Sequence, residues 1–170
     1  MKRLILALLV AVPLFASDGS NEITPDNVLA VMNAYRAQEG LAPLRLDPRI
    51  TRAAEDRMRD MEQSEYWSHD SPSGISPFVW LTARDYYFEA AGENLARGFD
   101  TARFLVESWM ESHGHRANIM STEYEDCGIA IIEGATTGRA TGKSIVVLFG
   151  RIRRPASTDL LRAPSAASRQ

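Results

Sequence analysis

The sequence has one cysteine, Cys127, which excludes any disulfide within the chain, so an exported fold must be held by its core. No apolar run reaches the roughly 20 residues of a comfortable membrane span. There is no excess of basic charge either: the formal net charge is -3, which gives no ground for a nucleic-acid partner. No short zinc motif of the H-E-x-x-H kind is present, and no internal repeat is visible. What remains is ordinary globular composition, with 45% hydrophobic and 24% charged residues in 170, enough for one domain with a real core.

The N-terminus has the layout of a secretory signal peptide. Lys2 and Arg3 precede an almost wholly apolar stretch from Leu4 to Phe15, and Ala16 and Ser17 supply small residues before Asp18. This predicts a signal peptide over 1–17, a short linker over 18–24, a folded domain over 25–150 and a disordered tail over 151–170. The tail is rich in Arg, Pro, Ser and Ala. With the signal removed no transmembrane span remains, and the chain is expected to be secreted or periplasmic.

Two helix starts are written alike. Thr24-Pro25 and Asp47-Pro48 each place a capping oxygen before a proline at the first helical position. Val28, Val31, Met32 and Tyr35 follow the first at helical spacing until Gly40. Ile50, Ala53, Ala54, Met58 and Met61 form the stripe of the second, with arginines and acids assigned to its opposite face. Residues 64–84 read as an irregular segment punctuated by Pro72, Gly74 and Pro77, and Tyr86 to Ala91 is ambiguous. A third helix is expected from after Asp100 to about Ser112, with Gly114 beyond its end. Cys127–Ile132 and Ser144–Phe149 read as strands of a hairpin joined by a Gly- and Thr-rich loop. Cys127 itself reads as a small buried hydrophobe. Helices followed by a hairpin give an α+β domain.

The residues able to carry chemistry are few. His69 lies in the irregular segment, and His113 and His115 flank Gly114 at the expected end of the third helix. Glu93 sits in Gly92-Glu93-Asn94 between two ambiguous stretches. Imidazole and carboxylate could serve a divalent ion or a general acid/base pair, yet each taken alone is read more simply as a solvated or cap-satisfying side chain. Ser71 has no identifiable base, and Trp67, Trp80 and Trp109 read as core or cleft wall.

Taken in series, these segments resemble a known family. Asn33-x-x-Arg36-x-x-x-Gly40-Leu41-x-Pro43-Leu44-x-x-Asp47-Pro48 resembles the first two helices and their connection in bacterial members of the CAP superfamily. That superfamily comprises the cysteine-rich secretory, antigen 5 and pathogenesis-related-1 proteins. His69-Asp70-Ser71-Pro72-Ser73-Gly74 is similar to its first histidine motif, Ala91-Gly92-Glu93-Asn94 to its Gly-Glu-Asn signature, and Trp109 to Met120 to the bacterial form of its second histidine motif. The resemblance runs in order from the first helix to Gly150.

It implies a three-layer α–β–α sandwich with a small antiparallel sheet between helices. It also implies that His69, Glu93 and His115 line one open cleft able to take a divalent metal, zinc before others. Many relatives carry a second glutamate three residues after the tryptophan, where this chain has Ser112, so the metal is expected to be weak or labile. Glu111, Ser112, His113 and Asn94 are expected around the cleft, with Asn94, Arg116 and Asn118 as structural ties.

The function this suggests is an extracytoplasmic binding module for a divalent ion, a small ligand, a lipid or a cell-envelope component. The alternatives are a metal-assisted hydrolase of peptides or envelope material, and a lipid or sterol carrier.

Overall fold

The computed structural model describes residues 21–133 and 142–154. The expected signal peptide, the start of the linker, most of the tail and the Gly- and Thr-rich loop therefore lie outside the described residues. Within them the order is α1 (Pro25–Gln38), β1 (Arg45–Leu46), α2 (Pro48–Gln63), α3 (Val79–Ala83), β2 (Phe88–Phe99), α4 (Ala102–Glu111), α5 (His113–Met120), β3 (Asp126–Glu133) and β4 (Lys143–Ile152).

The caps written in the sequence are made. Thr24 Oγ1 accepts from the Asn27 N–H at 3.2 Å and Asp47 Oδ1 from the Arg49 N–H at 2.8 Å. α1 closes in a Schellman motif: Gly40, at φ +69°, donates to the Ala37 carbonyl, and Leu41 donates to that of Arg36. The chain joins the fold before Pro25, since Ile23 is buried and the Asn21 carbonyl accepts from the Ala102 N–H.

The sheet runs in the order β1-β3-β4-β2. β3, β4 and β2 are antiparallel neighbours, and β1 adds a two-residue parallel pairing with β3 at Asp126 and Cys127. The antiparallel body is thus as expected, made mixed by this short edge. β4 lies inside the sheet with helices on both faces, which is why Ile145 to Phe149 is an unbroken apolar run. Ile145, Val147 and Phe149 pack toward α1 and α4 with Val28, Met32, Leu105 and Trp109. Val146 and Leu148 pack toward α2 with Ile50, Ala54, Met58 and Met61.

Two segments differ from the sequence reading. The ambiguous stretch around Glu93 is the middle of the 12-residue strand β2. The third helix stops at Glu111, Ser112 takes an extended backbone (φ -90°, ψ 121°), and a new helix begins at His113. Gly114 therefore lies inside α5, and the two histidines open a helix instead of closing one.

α2 comes close enough to β3 for their backbones to touch. A Cβ on Gly128 would meet the Ile50 carbonyl carbon and the Thr51 nitrogen at 2.2 Å. Backbone cannot yield as a side-chain tip can, so Gly128→Ala should push α2 off the sheet and cost about 3 kcal/mol. A lower urea midpoint at unchanged slope would report it.

Candidate functional site

Strand alternation sends neighbouring residues of β2 to opposite faces. Glu93 turns toward α2, and Asn94 turns toward α5. The Glu93 side chain is 2% exposed, and both of its oxygens are engaged. Oε2 accepts from Arg57 Nε at 3.0 Å, and Oε1 lies 2.8 Å from His69 Nδ1.

Arg57 is the residue that sequence reading missed. It was assigned with the charged face of α2, yet its side chain is 1% exposed and faces the core. Besides Glu93, its guanidinium donates to the carbonyls of Ser68 at 2.6 Å and His69 at 2.8 Å, and to the Tyr66 hydroxyl. Tyr66 in turn donates to Asp60. Burial pushes the Tyr66 hydroxyl up to about 12, so it stays a neutral donor. The signal was available: Arg57 falls at helical spacing within the stripe Ala53, Ala54, Met58 and Met61.

On the other face, Asn94 Nδ2 donates to the His115 carbonyl at 3.1 Å, and Asn118 Nδ2 donates to Asn94 Oδ1 at 2.8 Å. Both amides tie α5 to β2 as expected. Arg116 does not share that role, because it is exposed on the outer side of α5. Three side chains also cap carbonyls of β2 two residues apart. Tyr124 Oη donates to Ala91 at 3.1 Å, Asn118 Nδ2 to Glu93 at 3.0 Å and Trp109 Nε1 to Leu95 at 3.2 Å. Gly92 makes room for them, since a Cβ there would lie 2.6 Å from Tyr124 Oη and 2.8 Å from Asn118 Oδ1.

His69, Glu93 and Asn118, with Asp70, Phe78 and Gly92, line an open groove of about 360 Å³. The His115 ring stands with its centroid 6.5 Å from that of His69 and 6.3 Å from that of Trp109. Among the described residues no three His, Cys, Asp or Glu side chains are gathered to hold one ion. The expected carboxylate ligand stands behind His69, with both oxygens already occupied.

The residues expected around the cleft are more loosely placed. Glu111 and His113 are exposed, and Ser112 sits at the junction of α4 and α5. No hydrogen bond joins these three side chains to His69, Glu93 or His115. Ser71 Oγ accepts from the Ile75 N–H at 2.9 Å and lies 2.9 Å from Ser73 Oγ, so it organises its own loop.

The two imidazoles are pushed apart in basicity. The hydrogen bond to Glu93 raises the His69 pKa despite partial burial. Burial lowers that of His115, helped by the proximity of His69. A raised histidine stabilises the fold fully below its unfolded pKa of about 6.5, and that contribution fades as pH climbs through the folded value. A lowered one opposes folding as pH falls through its folded value. In a proton NMR titration of metal-free protein, His69 should therefore titrate above His115, and Glu93→Gln should bring the two closer.

The buried pair gives a second expectation. Arg57→Met strands the Glu93 carboxylate in the core and should cost about 3–5 kcal/mol in urea unfolding. Adding Glu93→Met to that variant should recover much of the loss, because no uncompensated charge is left.

Comparison with known proteins agrees with this architecture. A family model described as the cysteine-rich secretory protein family, CAP, matches residues 29–149. The uncharacterized protein YkwD of Bacillus subtilis is 34% identical over 109 residues, 64% of this chain and 42% of the relative. The uncharacterized membrane protein YlbC of the same organism is 31% identical over 104 residues, 61% of this chain and 30% of the relative. The chain thus spans less than half the length of these curated relatives. Among solved structures, an extracellular protein containing a SCP domain from Bacillus anthracis superposes with a TM-score of 0.63 at 24% identity, over 75% of this chain and 40% of that one. An outer surface protein from Borrelia burgdorferi gives 0.65 at 20% identity, over 75% of this chain and 92% of that one. With the family match spanning residues 29–149, most of the chain, this chain belongs to the CAP family.

Proposed function

We propose that this CAP domain works outside the cytoplasm as a binding module. Its groove takes a divalent ion or a small polar ligand at His69 and His115. The observation that carries the reading is the chain Arg57–Glu93–His69. With Nδ1 of His69 against the carboxylate, Nε2 is the nitrogen left for a ligand, and the ring is held in one orientation. A carboxylate behind a histidine is the arrangement that fixes the tautomer and raises the basicity of a metal-binding imidazole.

The donor set fits a metal in a restricted sense. Two neutral imidazoles suit a borderline ion such as zinc, while the nearest carboxylate is already neutralised by a guanidinium. Such an ion would supply Lewis acidity and would remain open to solvent or to a ligand. The extracytoplasmic setting is supported by the N-terminal sequence and by the descriptions of the Bacillus anthracis and Borrelia burgdorferi proteins as extracellular and outer surface proteins. No helix among the described residues is long and apolar enough to cross a membrane.

Calorimetry of the full-length, tag-free chain with zinc should show a weak binding heat that disappears in both His69→Ala and His115→Ala. Glu93→Gln should retain binding at about 10–100-fold lower affinity, as expected for a group acting through another. A wild type with no heat, or one whose heat survives both histidine replacements, would end the metal reading.

A further inference from the structure

The two edges of the sheet are treated differently. At the β2 edge, Tyr124, Asn118 and Trp109 occupy the carbonyls of Ala91, Glu93 and Leu95, so that edge cannot accept another strand. At the opposite edge, β1 pairs with β3 only at Asp126 and Cys127, where the Cys127 carbonyl accepts from the Asp47 N–H at 2.9 Å. Alternation then turns the N–H and C=O groups of Ile129 and Ile131 to the same side. Among the described residues, no backbone or side-chain group engages them there.

This stretch of edge lies in a groove. A space of about 460 Å³ is lined by Ile129 to Ile132 along the strand, by Thr51, Glu55, Met58 and Glu62 of α2, and by Pro25 at the start of α1. Thr51, Glu55, Met58 and Glu62 follow one another at three- and four-residue steps, so they form one stripe of α2 beside the strand. The slot therefore lies where the sheet layer would continue if it had another strand.

Two unpaired acids stand along the slot. Glu55 and Glu62 are exposed and have no ion-pair partner among the described residues. Arg59, the basic residue of the lining, turns to Asp56 at 2.7 Å, a carboxylate it shares with Arg84 at 2.6 Å. Glu133, at the end of the strand, is paired with Lys143 at 3.2 Å and adds no free charge.

We propose that the open β3 edge, beside the unpaired Glu55 and Glu62 of α2, is a docking site for an extended basic peptide segment that adds to the sheet as a further strand. The backbone of Ile129 and Ile131 supplies the ladder. Alternate peptide side chains, about 6–7 Å apart, face α2, where lysine or arginine meets Glu55 and Glu62 while a small apolar residue covers Ile131. Sequence selectivity is low, because the ladder reads backbone and the acids read charge. The site is separate from the His69 groove and does not depend on the function proposed for it.

The test uses the full chain and a fluorescent capped hexapeptide of alternating lysine and valine, read by anisotropy. Saturable binding is expected, with an alternating glutamate and valine peptide failing to bind. A lysine–valine peptide N-methylated at alternate residues, with equal charge but half its N–H donors blocked, should lose at least about tenfold in affinity. Ile131→Pro removes an edge N–H at a position where proline is tolerated and should weaken binding similarly. The double variant Glu55→Lys, Glu62→Lys should reverse the preference toward the acidic peptide. His69→Ala should leave binding unchanged. No saturable binding, equal binding of the N-methylated peptide, or equal binding of the acidic peptide would overturn the proposal. So would a dimer in sedimentation that Ile131→Pro dissociates, since the occupant would then be a second copy of this chain.

Discussion

The site is organised around a buried ion pair between helix and sheet. Arg57 and Glu93 are 36 residues apart and almost completely withdrawn from solvent. Neither charge could stay there alone, because burying an isolated ion costs several kcal/mol even after relaxation. Each therefore fixes the other, and the fixed carboxylate fixes His69. The same guanidinium takes the carbonyls of Ser68 and His69, so a segment without regular secondary structure is tied to the core at the residue that faces the groove. Placement of the imidazole thus follows from α2, which is itself seated by its backbone contact with Gly128.

The short Gly-Glu-Asn segment shows how one strand serves three neighbours. Gly92 leaves space for Tyr124 and Asn118, Glu93 meets α2, and Asn94 holds the first turn of α5 through the His115 carbonyl. A substitution at any of the three would disturb a different element, although they are consecutive in the chain. The carbonyls of Ala91, Glu93 and Leu95 are not idle either, since each has a side-chain donor. The strand bearing the site is therefore closed to further pairing, and the free edge is left to β3.

Much of this was legible beforehand, and the exceptions have physical causes. The capped starts of α1 and α2, the stripe of α2 and the apolar strands β3 and β4 are local signals, and the structure contains each of them. β2 was obscure because it mixes Gly, Glu, Asn and Arg, residues of low strand propensity that are held there by long-range partners. The break at Ser112 was hidden by continuous helical spacing across it, and it reversed the expected place of His113 and His115 within a helix. The order of motifs brought His69, Glu93 and His115 forward as candidates, and the structure sets His69 against Glu93 with the His115 ring 6.5 Å from its own. The role of Glu93 was not legible, because sequence order carries no information that an arginine 36 residues earlier already occupies the carboxylate. Arg57 itself was hidden by its own charge, although its position in the apolar stripe pointed inward.

The charge of the groove follows from the same pair. With Glu93 balanced by Arg57, the other ionisable side chains lining the groove among the described residues are His69 and Asp70, and the His115 ring stands 6.5 Å from that of His69. Hard cations such as magnesium and calcium want several oxygen donors carrying charge, and beside the engaged Glu93 the described lining offers Asp70 alone. On the function proposed above, a pair of imidazole nitrogens favours a borderline ion held loosely. The buried ion pair therefore sets the orientation in which His69 meets the groove.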